Sequence, residues 1–92
     1  GIQEVDMKAY PNPFEGLLQL YLRLPSDESI TISIVNHLGR VISHPLNNIY
    51  LNAGQYQYQL DLEELPSGIY FIRLATKSFE KTIKVINKGF GN

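Results

Sequence analysis

Nucleophilic catalysis near neutral pH needs a hydroxyl or thiol beside a base that a third group orients. This chain of 92 residues offers two histidines, His37 and His44, and no cysteine. His37 falls among the turn-forming residues Asn36-His37-Leu38-Gly39, and His44 directly precedes Pro45. Both are places where a solvated side chain is expected. Paired carboxylates are a second route to hydrolysis, and Asp61, Glu63 and Glu64 cluster. They close an alternating segment, where acidic groups are ordinarily just hydrated, and no aromatic-lined cleft fits easily in so short a chain. The cluster also offers hard oxygen ligands to calcium, but its spacing matches no EF-hand loop. QYQYQ at 55–59 would serve as a tyrosine platform for a sugar if its rings faced water. Period two instead places Tyr56 and Tyr58 on the face of Leu60, toward a core. No pattern demands a metal or any other cofactor, and the chain reads as noncatalytic.

The elements that position these residues are strands. Seventeen positions are Val, Ile or Thr against three Ala, and branching at Cβ suits a pleated sheet better than a helix. Leu18, Leu20, Leu22 and Leu24 alternate with Gln19, Tyr21 and Arg23; Ile30, Ile32 and Ile34 alternate with Ser29, Thr31 and Ser33. Each is a strand with one wet face. Further strand signals lie at 4–10, 40–44, 55–60, 69–76 and 79–86, giving seven. Ile69, Tyr70, Phe71, Ile72 and Leu74 are apolar at both parities, which predicts a central strand covered on both faces. Between the strands stand turn residues: Pro11-Asn12-Pro13, Pro25-Ser26-Asp27, Asn36 to Gly39, Asn47-Asn48, Ala53-Gly54, Pro66-Ser67-Gly68 and Lys77-Ser78. This spacing leaves no room for crossover helices and predicts an all-β antiparallel sandwich or barrel.

Apolar content of 43% and charged content of 18% are ordinary for a globular domain. A single domain of this size buries about 64% of its unfolded surface, enough for one modest core, and no disulfide supplements it. A net charge of −1 gives no overall attraction to nucleic acid or anionic lipid. No stretch of about 20 apolar residues spans a membrane, and the first ten residues lack a basic segment leading into an apolar core. If the domain is exported, its leader is expected elsewhere on a longer precursor. Charge is uneven: residues 1–72 carry three basic and eight acidic groups, residues 73–92 five basic and one acidic. Lysines at the end either protect a sheet edge or form a recognition surface. LEELPSGIYFIRL (62–74) has the form of a tyrosine corner, predicting a buried Tyr70 whose hydroxyl bonds locally and a Gly68 with an unusual backbone conformation or a close approach.

Taken in order, YPNPF (10–14), SIVNHLGRVI (33–42), LPSGIYFIRL (65–74) and KTIKVI (81–86) resemble the type A C-terminal sorting domain of the type IX secretion system. The resemblance covers nearly the whole chain. It implies an immunoglobulin-like sandwich of seven strands at the end of exported Bacteroidetes proteins. Such domains cross the periplasm and are read by an outer-membrane translocon. A sortase-like cysteine peptidase then usually cuts upstream of the domain and joins the passenger to anionic lipopolysaccharide. On this resemblance residues 1–9 are the end of a linker and a first strand, 10–86 the sorting domain and 87–92 a short tail. The matching motif positions are Pro11, Asn12 and Pro13 at the domain start, Gly39 in a hairpin, Gly68 and Tyr70 on a late strand, and Lys81 and Lys84 on the basic final strand. None of them does chemistry. The implied partners are the translocon, the sortase and an N-terminal passenger, with no nucleic acid and no membrane insertion. A carbohydrate-binding or purely structural sandwich appended to a secreted protein is the alternative.

Overall fold

The computed structural model describes residues 5–89, so the ends of the expected linker (1–4) and tail (90–92) lie outside the described residues. Seven strands follow one another: β1 (Asp6–Glu15), β2 (Leu17–Leu24), β3 (Glu28–Asn36), β4 (Val41–Leu51), β5 (Gly54–Asp61), β6 (Gly68–Ala75) and β7 (Glu80–Asn87). Hydrogen bonding gives the order β4-β3-β6-β7-β1-β2-β5. β5, β2 and the first half of β1 form one antiparallel sheet; β4, β3, β6 and β7 form the other. The two pack face to face as an immunoglobulin-like sandwich, closed on one flank because β1 changes sheets. Its first half pairs with β2, and its end pairs parallel to β7 at Phe14 and Asn87.

The leucines of β2 and Ile30, Ile32 and Ile34 of β3 are buried together with Met7, Phe14, Leu60, Ile72, Leu74 and Val85. This is the core that the alternation predicts, since removing apolar surface from water is the main favourable term in folding. Tyr56 and Tyr58 are half-buried against it, their rings stacked 6.5 Å apart. The sugar platform expected if they faced water is therefore absent.

Three local readings change. Pro11-Asn12-Pro13 does not end the first strand but lies inside β1, at the step between sheets where its register with β2 breaks after Tyr10. Asn47-Asn48 is not a turn either. β4 runs through it with three more residues than β3 uses over the same span. The left-handed φ of Asn48 marks a bulge whose N–H bonds to Thr31 Oγ1 at 3.0 Å. Finally, β6 is central in hydrogen bonding but covered on one face: Tyr70, Ile72 and Leu74 are buried, whereas Ile69 is 40% exposed. Two layers leave the outside of each sheet to solvent.

Candidate functional site

Of the residues with catalytic potential, the fold brings one pair together. Ser33 Oγ and His44 Nδ1 are in hydrogen-bond contact at 2.9 Å. Ser33 is only 3% exposed, and among the described residues no carboxylate bonds to His44. The pair ties β4 across the outside of β3. His37 is exposed in the β3–β4 turn. Asp61 accepts the N–H of Glu63 at 3.1 Å, which fixes the turn after β5. Partial burial and then the neighbouring Asp61 charge raise the Glu63 carboxyl above its ordinary pKa. Among the described residues no group of His, Asp and Glu could hold a metal ion, and no helix is long and apolar enough to cross a membrane.

What the fold does build is an interlocked C-terminal hairpin. In β7 period two sends Val85 and Asn87 inward and Thr82, Lys84 and Ile86 outward. Pro11 and Pro13 have no N–H to offer the edge of β7; Asn12, between them, supplies pairing with its side chain. Its amide donates to Lys84 O at 3.1 Å, and its Oδ1 accepts from Ile86 N at 2.9 Å. The carbonyl of fully buried Phe14 then accepts from Lys88 N at 2.8 Å, and Lys88 reaches Glu15 at 3.0 Å. The PNP motif is thus a clasp that substitutes a side-chain amide for a backbone ladder. Asn12→Ala is expected to cost about 1–2 kcal/mol, since two solvent-accessible hydrogen bonds are lost at roughly 0.5–1.5 kcal/mol each. Urea denaturation reads the loss, and hydrogen exchange at the Ile86 amide should quicken more than at Ile72.

Gly39, Gly68 and Tyr70 gather at the same end. Gly68 pairs with Asn87 and Tyr70 with Asn36, so the β3–β4 turn carrying Gly39 lies alongside. Gly39 and Gly68 have positive φ, 82° and 148°, and open space where a Cβ would stand. Of the two reasons expected for Gly68, the backbone conformation applies and close approach does not. Tyr70 is 5% exposed and donates its hydroxyl to Pro66 O at 2.6 Å, forming the expected corner. Burial holds its phenol above the usual tyrosine pKa.

Asn87, read from sequence as the first residue of the tail, is instead a hub. It is 2% exposed; its Nδ2 donates to Leu65 O at 3.2 Å and Pro66 O at 3.3 Å, and its Oδ1 accepts from Gly89 N. The signal was present: continuing the parity of Ile83 and Val85 turns position 87 inward. Parity also separates the two motif lysines. Lys84 is exposed on the outer face, whereas Lys81 lies at the opposite end of β7, half-buried, its Nζ on Val5 O at 3.2 Å.

The described residues thus form a two-layer sandwich with a clasped terminal hairpin. The chain matches the family model for the secretion system C-terminal sorting domain over residues 8–88 and belongs to that family, the sorting domains of type IX secretion. No curated protein matches it. Membership makes it a C-terminal sorting signal of a secreted or cell-surface protein, carried behind an N-terminal passenger and handled by the type IX machinery.

Proposed function

We propose that the domain is read in its folded state, through the outer face of the β6–β7 hairpin, by the outer-membrane translocon or a shuttle that serves it. The observation that carries this reading is the side-chain pattern of that face. Ile69 stands beside Ile86, Phe71 beside Lys84, and Arg73 beside Thr82, an apolar strip edged by basic groups. Ile69 and Ile86 are 40% and 38% exposed and stand side by side rather than singly. Docking by this face rather than by the backbone edge of β7 follows from the clasp, because Asn12 and Phe14 already occupy that edge from Lys84 onward. The passenger crosses the periplasm attached to the signal; a sortase-like peptidase then cuts upstream and transfers the passenger to anionic lipopolysaccharide. Pro11, Asn12, Pro13, Gly39, Gly68 and Tyr70 hold the face in shape, and Lys84 contacts the reader. Lys81 secures the first strand.

The test is a reporter fused to the domain through its native linker in a type IX-competent host. Removing 79–92 also strips Val85 from the core, so it cannot separate folding from docking. The informative variants are Ile69→Glu and Lys84→Glu, with folding checked by circular dichroism. Surface delivery of the parent fusion and periplasmic retention of both folded variants are expected. Undiminished export of the variants overturns the docking face, while failure of the parent fusion to leave the cell overturns the sorting role.

A further inference from the structure

The strand order leaves two strands at its ends, β4 and β5. Unpaired edges invite another chain, and proteins usually blunt them with charge, proline or bulges. β4 is blunted by Pro45 and its three extra residues. β5 is blunted only at its end, by Asp61: Gln55 to Leu60 contains no charge and no proline, and all eight residues hold an unbroken register with β2. Leu62 N donates to Gly16 O at 2.7 Å, which fixes the phase of that ladder. Even-numbered residues of β5 turn their backbone groups toward β2, so Gln55, Gln57, Gln59 and Asp61 turn theirs away. Among the described residues no strand meets them.

We propose that β5 is a self-association edge at which two copies of this chain join antiparallel about a two-fold axis through Tyr58, forming a six-stranded sheet. That register sets Gln57 opposite Gln59 of the second copy and Gln55 opposite Asp61. It satisfies every outward backbone group of the strand. Residue parity is preserved across the seam, so outside Gln57 meets Gln59 and Gln55 meets Asp61, and inside Tyr56 meets Leu60. A second copy is the occupant because the sequence is complementary to itself, carries its one charge, Asp61, at the end of the strand rather than along it, and closes symmetrically. The antiparallel sense keeps the two Asp61 carboxylates apart. Beside the edge, Pro45 and Leu46 of β4 share an open groove with Tyr58 and Leu60, apolar surface that the second copy would shield.

Sedimentation velocity of the 92-residue chain over a concentration series tests this, alongside hydrogen exchange at the glutamine amides. Expected are a shift from monomer to dimer and growing protection of the Gln55, Gln57 and Gln59 amides as concentration rises. The double variant Gln57→Lys/Gln59→Lys places like charges directly opposite and should weaken association at least about tenfold with unchanged circular dichroism. Thr82→Lys, on the other sheet, should dimerise as the parent does. A parent chain that stays monomeric at millimolar concentration overturns the proposal. So does a dimer that the lysine pair leaves intact.

Discussion

Tyr70→Ala should destabilise the domain by about 3–5 kcal/mol, the usual cost of deleting a buried aromatic ring, and leave it marginal, because domains of this kind are stable by about 5–15 kcal/mol in all. The ring fills the core between β6 and the 62–68 loop, and its hydroxyl fixes the Pro66 carbonyl. Tyr70→Phe keeps the ring and loses one hydrogen bond, so about 1 kcal/mol is expected. Pro66 O still receives Asn87 Nδ2. Urea titration of the two variants separates ring from hydroxyl; an alanine variant within 1 kcal/mol of the parent would show that Tyr70 anchors nothing. The same residue predicts an alkaline limit. Because burial raises the folded-state pKa of the phenol, its contribution is intact below the unfolded value of about 10 and declines as pH climbs through the folded value. The parent should therefore lose melting temperature above that pH more steeply than Tyr70→Phe.

Asn87→Ala should cost about 2–4 kcal/mol, out of proportion to a small polar side chain. Its amide serves two carbonyls of the 65–66 segment and the N–H of Gly89; removing it leaves Leu65 O and Gly89 N without these bonds in a part-buried site, at about 1–3 kcal/mol for a group left fully unsatisfied, while Pro66 O keeps the Tyr70 hydroxyl. Since Tyr70 and Asn87 share the Pro66 carbonyl, the two substitutions should not add. A double-mutant cycle of Tyr70→Phe with Asn87→Ala is expected to show a coupling of about 0.5 kcal/mol or more. A coupling near zero would mean the two sides of the loop are held independently. In the reporter assay export should follow stability for these buried positions, falling for Tyr70→Ala and surviving in Tyr70→Phe. The exposed Ile69 and Lys84 variants should instead lose export without losing stability, which distinguishes a surface that is read from the core that supports it.

Much of the candidate site could be read from local pattern. The Tyr70 corner was legible because Pro66, Gly68 and Tyr70 stand within one short segment whose bond closes over four residues. The Asn36 to Gly39 turn was legible because the Asn36 carboxamide oxygen takes the N–H groups of Leu38 and Arg40 within the turn itself. The role of Asn12 was not: its partners lie 72 and 74 residues away, and locally a proline-flanked asparagine signals only a turn. Asn48 shows the same limit. Asn47-Asn48 reads locally as a turn, but Thr31 from the neighbouring strand captures the Asn48 N–H and makes the position, with its left-handed φ, a bulge within β4.

The sequence alone determined an all-β domain of seven strands, the faces that β2, β3 and β5 bury and the family signature, because side-chain alternation and turn chemistry act between residues close along the chain. Tertiary structure decided that β1 changes sheets, that a side-chain amide clasps β7, which carbonyls Asn87 serves and that β5 is left as an edge. These depend on which strand lies beside which. That is fixed when the two sheets close over one core, and period two is the same whatever the neighbour.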